Sequence, residues 1–406
     1  MPTYPTYKLG DICELLNGFA FKSSNYVQSG LRVIRITNVK KGYVIDEEPQ
    51  FYPLETQEEL KKYILKKGDL LISLTGNVGR VGILSEDLLP AALNQRVGCL
   101  RVKDKSLVSL QYLFHLLNTN SFEKDCINSS KGIAQKNMST EWLKEYEITL
   151  PPLPTQHLIV SRIETLFAEL DKAVQHLRTA QQQLKTYRQA VLNHWLNNED
   201  GKWEMVKLGE VLQKIEAGKS FRCNEKVPAL HEKGIVKISA VTWGEFLEDE
   251  CKTIINEDLY NPQFAIHKGD LLISRANTIQ LVGNCVLVRK EPKRNIMLSD
   301  KVLRLVISDN ADSDFILYSL RTSKSRTQIQ NMSTGNQDSM RNIGQDRIKK
   351  IEIPLPPLSD QQRIVNEIES RLSQATASET YIENALQQAE ALRQSILKKA
   401  FSGELV

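Results

Sequence analysis

A mixed α/β (α+β) fold is expected, with two tandem globular domains separated by two long antiparallel coiled-coil spacer helices in a pseudo-twofold repeat. Three observations carry this expectation: the sequence repeats once at about half its length, each half contains a compact β-rich stretch, and each half ends in a long stretch without Gly or Pro.

The repeat comes first. Lys8-Leu9-Gly10-Asp11-Ile12 returns as Lys207-Leu208-Gly209-Glu210-Val211, an offset of 199, and Lys67-Gly68-Asp69-Leu70-Leu71-Ile72-Ser73 returns unchanged as residues 268–274, an offset of 201. Leu150-Pro151-Pro152-Leu153, with Gln156 and Ile159-Val160 behind it, returns as Leu355-Pro356-Pro357-Leu358 with Gln361 and Ile364-Val365, an offset of 205. The slow drift of the offset describes one ordered set of elements duplicated in tandem, with small loop insertions.

Before each proline run, short segments such as Leu31-Arg32-Val33-Ile34-Arg35-Ile36 and Gly234-Ile235-Val236-Lys237-Ile238 are punctuated by Gly and Asn turns, as in a compact domain of short strands. After it, residues 155–198 and 359–402 contain neither Gly nor Pro, the condition for a long uninterrupted helix. Four segments follow: globular 1–153, helical 154–198, globular 199–357 and helical 358–406. Residues 197–202 form the polar link between the halves, and Gly201 supplies the helix stop.

The first helix offers an apolar heptad seam at Ile159, Ile163, Leu166, Leu170, Ala173, Leu177, Ala180, Leu184, Tyr187 and Val191. Shifted by the repeat, the second is Ile364, Ile368, Arg371, Ala375, Ser378, Ile382, Ala385, Ala389, Leu392 and Ile396, poorer and mostly small. Small residues let one backbone approach a Leu-rich partner, so the helices are expected to pack on each other. They run antiparallel because the chain must return across the same distance, roughly 60 Å at about 1.5 Å per residue.

Composition restricts function only loosely. Hydrophobic residues at 41% and charged residues at 25% are ordinary for globular chains, and a net charge of +4 permits nucleic-acid binding only through local basic surface. Cys13, Cys99, Cys126, Cys223, Cys251 and Cys285 show no C-x-x-C pair and no zinc-finger spacing, which reads as reduced thiols in a cytoplasmic protein. The start, Met1-Pro2-Thr3-Tyr4-Pro5, has neither the charge nor the apolar core of a signal peptide, and no apolar run approaches the roughly 20 residues needed to cross a bilayer.

Catalytic signatures fail one by one. Asn261-Pro262-Gln263-Phe264 lacks the second proline of the Asn-Pro-Pro-aromatic motif that holds a target amino group, and no glycine-rich loop follows a strand to cradle a nucleotide-like cofactor. Gly218-Lys219-Ser220 resembles the end of a phosphate-binding loop, but Gln213 stands where its first glycine belongs, and the repeat aligns it with Gly18-Phe19-Ala20, a domain turn. No H-E-x-x-H motif and no Pro-Asp dipeptide exist to begin a zinc or nuclease site. Catalytic, cofactor-binding and metal-binding residues are therefore all expected to be absent.

Lys-Leu-Gly at the head of each half, Lys-Gly-Asp-Leu-Leu-Ile-Ser in its middle and Leu-Pro-Pro-Leu before Gln and a long helix resemble the specificity subunits of type I restriction-modification systems, along essentially the whole chain to Ala400-Phe401-Ser402-Gly403-Glu404-Leu405. The resemblance implies that each globular half is a target-recognition domain reading one half of a split, asymmetric sequence in double-stranded DNA, with the helices fixing the gap. It also implies two methyltransferase subunits as partners and two motor-nuclease (restriction) subunits in the full complex, with S-adenosylmethionine, ATP and magnesium held by those partners. Two rivals stand beside it: a free-standing methyltransferase or nuclease fusion, and a coiled-coil scaffold that binds protein and no DNA.

Base edges are read by donors and acceptors such as Arg, Asn and Gln, while Lys, Ser and Thr mostly hold phosphates. On this chemistry the DNA-binding candidates in the first half are Thr75, Asn77 and Arg80 after the strand at 69–73, then Asn94, Gln95 and Arg96, and then Lys131, Gln135 and Lys136. In the second half they are Arg275, Asn277 and Thr278, then Lys301, and then Asn336, Gln337 and Arg341. Gly68, Asp69, Gly269 and Asp270 are read as scaffold.

Overall fold

A computed structural model of the chain describes residues 4–132, 136–198 and 201–405. The chain divides into two compact units, Met1–Leu177 with Asn384–Val406, and Arg178–Glu383. The cut does not follow the linear order of the sequence, because each unit combines one globular half with parts of both long helices.

In the first unit a four-stranded antiparallel sheet has the order Cys13–Asn17, Val97–Val102, Leu70–Ser73, Val81–Ile83. The second unit repeats it as Leu212–Ala217, Val302–Ile307, Leu271–Ser274, Cys285–Leu287. A second sheet in each unit centres on Leu31–Ile34 or Lys233–Val236, which pairs in parallel with Ala91–Leu93 or Asn295–Met297. Thr6–Lys8 pairs with Glu147–Thr149, and Glu204–Lys207 with Glu352–Leu355, so the strand entering each globular half is tied to the strand leaving it.

The heptapeptide common to both halves explains its own recurrence. Gly68 and Gly269 turn the chain at φ +83° and +93°, where a Cβ is disfavoured. Asp69, 4% exposed, accepts from the Lys66 amide at 2.8 Å and from the Arg101 guanidinium at 2.8 and 2.7 Å. Asp270 accepts from the His267 amide and from Arg304, each at 2.9 Å, and burial pushes its carboxyl above the usual range despite that cation. Leu70, Leu71 and Ile72, like Leu271, Leu272 and Ile273, are at most 1% exposed. The terminal serine then braces the next loop: Ser73 Oγ donates to the Asn77 carbonyl and accepts from the Arg80 amide at 3.0 Å, while Ser274 Oγ donates to the Leu281 carbonyl at 3.2 Å.

The long helices span Leu153–Leu196 and Leu358–Phe401. Each is anchored by a fully buried glutamine in its first turn. Gln156 accepts from the Ser109 amide at 2.8 Å and donates to the carbonyls of Leu107 and Pro151 at 2.9 and 2.8 Å. Gln361 repeats the set with the Asp312 amide at 2.8 Å and the carbonyls of Asn310 and Pro356 at 3.2 and 2.9 Å.

Within each unit the helices run antiparallel and pack as a coiled coil: Arg188 meets Thr376 and Glu379 in one, and Arg393 meets Asp171 in the other. The seam departs from its expected phase. Ile163, Leu170, Leu177, Leu184 and Val191 turn inward as expected, but Ala173, Tyr187, Arg371, Ser378 and Leu392 are exposed. Val174, Arg188, Leu372, Glu379 and Arg393, one residue later, take the inward places. Two of those residues are arginines and one is a glutamate, so a purely apolar pattern passes over them. The first helix ends at Leu196, after which the Asn198 side chain accepts from the Trp203 amide at 2.9 Å.

Candidate nucleic-acid interface

Antiparallel pairing brings several loops to the same end of each four-stranded sheet. In the first unit the Leu74 amide donates to the Arg96 carbonyl at 3.0 Å, and the Met138 amide donates to the Leu74 carbonyl at 2.8 Å. In the second the Arg275 amide donates to the Lys301 carbonyl at 2.8 Å, and the Ile343 amide donates to the Arg275 carbonyl at 2.9 Å. The same two-bond ladder thus draws three sequence-distant loops together in each half, and they are the three loops expected from the sequence.

In the first half Asn77, Gln95, Arg96, Lys131 and Lys136 are exposed, and Thr75, Arg80 and Asn94 are half-buried. Gln135 lies outside the described residues. The Gly76 amide donates to the Lys136 carbonyl at 2.8 Å, and Lys131 and Asn137 exchange backbone bonds of 3.0 and 2.9 Å. Two candidates are partly committed to the fold: the Thr75 hydroxyl oxygen is buried, and Asn94 Oδ1 accepts from the Arg96 amide at 3.2 Å.

In the second half the strand Ala276–Asn277 pairs with Met340–Asn342, which closes a hairpin with Thr334–Gln337. Arg275, Lys301, Asn336 and Gln337 are exposed, and Asn277, Thr278 and Arg341 are half-buried. Arg341 braces its own hairpin, donating to the Ser333 hydroxyl and carbonyl at 3.2 and 3.0 Å and to the Gly335 carbonyl at 3.1 Å. Asn277 accepts from the Thr278 amide at 2.8 Å and donates to the Thr242 hydroxyl at 3.3 Å. Cations and amides still free to meet a ligand are therefore concentrated at Arg275, Lys301 and the hairpin tip.

Two further loops share this end in each half and were not among the expected sites. Residues 18–22 and 218–222 follow the edge strand so closely that a Cβ on Gly18 would stand 2.2 Å from the Asn94 backbone, and one on Gly218 would stand 1.9 Å from the Leu298 carbonyl oxygen. This close approach gives Gly218-Lys219-Ser220 its structural role as a turn. The others, 35–42 and 237–244, leave the central strands of the second sheet. The alignment of Gly18 with Gly218 was the available signal for the first pair; its neighbours carry no motif.

Asn261, from the incomplete methyltransferase-like motif, caps a single short turn by accepting from the Gln263 amide at 3.0 Å. All six cysteines are free thiols, and burial pushes those of Cys13 and Cys126 up to about 12. Among the described residues no helix is long and apolar enough to cross a membrane.

The family model described as "Type I restriction modification DNA specificity domain" matches residues 1–177 and 200–388. The chain is 25% identical over 411 residues to the type I restriction enzyme EcoKI specificity subunit of Escherichia coli (strain K12), covering 97% of this chain and 87% of that one. It superimposes with a TM-score of 0.73 and 20% identity on a chain from a solved type I R-M system, over 100% of this chain and 99% of that one. The HsdS subunit from Thermoanaerobacter tengcongensis gives 0.55 and 19%, over 99% and 97%. At these identities the two structures are similar in fold.

Proposed function

We propose, starting from the fact that this chain belongs to the type I restriction-modification DNA-specificity family, that each globular half reads one part of a bipartite, asymmetric DNA target through the three loops joined at one end of its sheet. One observation carries the reading. The backbone ladder through Leu74, Arg96 and Met138 recurs through Arg275, Lys301 and Ile343, while the exposed side chains on it differ. A common frame with different donors and acceptors is what two different half-sequences require.

In this reading the chain performs no chemistry of its own. Two methyltransferase subunits and two motor-nuclease subunits assemble with it, S-adenosylmethionine, ATP and magnesium are theirs to bind, and the paired helices fix the number of bases between the half-sites. Asn77, Gln95, Arg96, Arg275, Asn336 and Gln337 are the side chains best placed to meet base edges, and Lys131, Lys136 and Lys301 to meet phosphates. Thr75, Arg80, Asn94, Asn277, Thr278 and Arg341 shape the loops; Gln135 belongs to the proposed set by its position in the sequence.

The test is methylome sequencing of a host carrying this gene with its methyltransferase partner, before and after residues 205–353 are exchanged for those of a relative. One half of the methylated motif is expected to change and the other to persist. A change in both halves together refutes modular reading, and methyl transfer by the purified chain alone refutes the non-catalytic assignment.

A further inference from the structure

We propose that Trp243 is a DNA contact peculiar to the second half, laying its indole face on the sugar and base edge of a nucleotide that flanks the bases read by the loops at 275–278 and 334–341. The inference rests on the DNA-reading role proposed above and adds to it a residue, a mode of contact and an asymmetry between the halves.

Trp243 is 67% exposed, whereas Trp142, Trp195 and Trp203 are all half-buried. An indole held this far into solvent leaves a large apolar surface uncovered, and covering it is favourable. Its backbone is fixed from both sides. Asn284 donates to the Thr242 carbonyl at 2.8 Å, and Arg321 donates to the Gly244 carbonyl at 2.6 Å while also holding the Cys285 carbonyl at 2.8 Å. Gly244 turns the chain at φ +95° directly after the indole. The ring is thus displayed from a braced turn, with little backbone ordering left for a ligand to impose.

The display is at the reading end of the sheet. Thr242 receives the Asn277 side-chain bond at 3.3 Å, which couples the turn to the reading loop itself. The surroundings select the part of DNA that is met. Arg275 and Lys301 supply cations at this end, but Glu245, exposed two residues beyond Trp243, disfavours a phosphate immediately beside the indole. A flat apolar face next to a carboxylate suits a sugar and base edge, because every base offers a π-face and stacking needs no particular base.

The first half does not share the feature. Gly42, at φ +91°, occupies the place of Gly244, and the residue before it is Lys41. The Lys41 ammonium is turned back onto its own domain, donating to Glu123 and Asn120 at 2.7 Å each.

The experiment uses the chain assembled with its methyltransferase subunits and a duplex carrying the motif that methylome sequencing returns. Trp243→Ala is expected to raise Kd about tenfold, the scale of one lost stacking contact, with the methylated motif unchanged. Trp243→Phe is expected to retain most of the affinity while losing the DNA-dependent quenching of tryptophan emission seen in the wild type. An unchanged Kd in Trp243→Ala, or quenching that persists in Trp243→Phe, overturns the proposal. So does loss of subunit assembly in Trp243→Ala, which would make the indole a protein contact. Failure of the wild-type complex to bind the duplex would instead sink the DNA-reading role, and this inference with it.

Discussion

Arg188 donates to Glu379 at 2.9 Å from the inward face of the first long helix, with both side chains about one-third exposed. Arg393, its counterpart in the repeat, is paired with Asp171 in the other unit. An ion pair this exposed contributes only about 0.5–1 kcal/mol, yet like charges in its place repel. Arg188→Glu should therefore lower stability by roughly 1 kcal/mol. The swap Arg188→Glu with Glu379→Arg should recover most of that loss in a urea-unfolding double-mutant cycle. Purely additive effects would show that the two side chains do not interact.

The buried Asp69–Arg101 pair behaves differently. Asp69→Ala strips the guanidinium of its carboxylate in a site where Arg101 is 22% exposed, and should cost about 3 kcal/mol. Asp69→Asn, which keeps an acceptor for the Lys66 amide, should cost less. Thermal unfolding of both variants decides this, and neither should alter the methylated motif, because the pair sits beneath the reading loops.

Base readers and phosphate holders separate by measurement. Arg275→Ala should relax the second half of the motif alone, with about 1–3 kcal/mol of discrimination lost at one position. Lys301→Ala should weaken binding to all sequences equally and reduce the salt slope by about one unit. If Lys301→Ala changed the motif and Arg275→Ala did not, the two roles would be reversed.

The helices can be tested as a ruler by removing residues 173–179 together with 378–384. One heptad leaves each helix, the seam phase is kept, and Leu386 moves into the seam place of the deleted Glu379. Both half-sequences should persist with a gap one to three bases shorter, since seven residues correspond to about 10 Å at 1.5 Å each. Cutting one helix alone should mispair the seam and cost folding. An active complex with an unchanged gap after the paired deletion would show that something other than these helices sets the spacing.

His115 carries a pH signature. Burial against Phe114 and Phe167, reinforced by the Arg393 cation, lowers its pKa to about 4, and Glu164 at 4.0 Å is too exposed to reverse the shift. The unfolded chain binds this proton near 6.5 and the folded one does not, so stability should fall as pH drops from about 6.5 to 4, by about 2–3 kcal/mol. His115→Gln should flatten that part of the pH profile of unfolding. An equally steep profile in the variant would place the dependence elsewhere.

Legibility in the sequence followed how each feature is encoded. Duplication and the Gly- and Pro-free stretches are one-dimensional signals, and they suffice for the two domains and the two helices. The seam phase was harder, because Arg188, Glu379 and Arg393 are inward residues that look like surface ones until their partners on the other helix are known. The reading loops were found by following the strand at 69–73 and its repeat, but their side chains could not be ranked. Arg341 and Asn277 have the chemistry of base readers, and the fold engages both in bonds to neighbouring loops. Trp243 carries no motif, and only its exposure distinguishes it from a core aromatic.

Gln156 and Gln361 hold identical sockets: one amide donor, two carbonyl acceptors and the first turn of a helix. A globular half is joined to its helix mainly through backbone groups, which any sequence supplies, so the joint makes little demand on the side chains of the half it receives. Such a half can be exchanged by recombination at the flanking Leu-Pro-Pro-Leu segments, in either position, without redesign of its seat. Inheritance can then treat each half as an interchangeable cartridge, and new specificities arise by reshuffling whole halves faster than by point mutation of the loops.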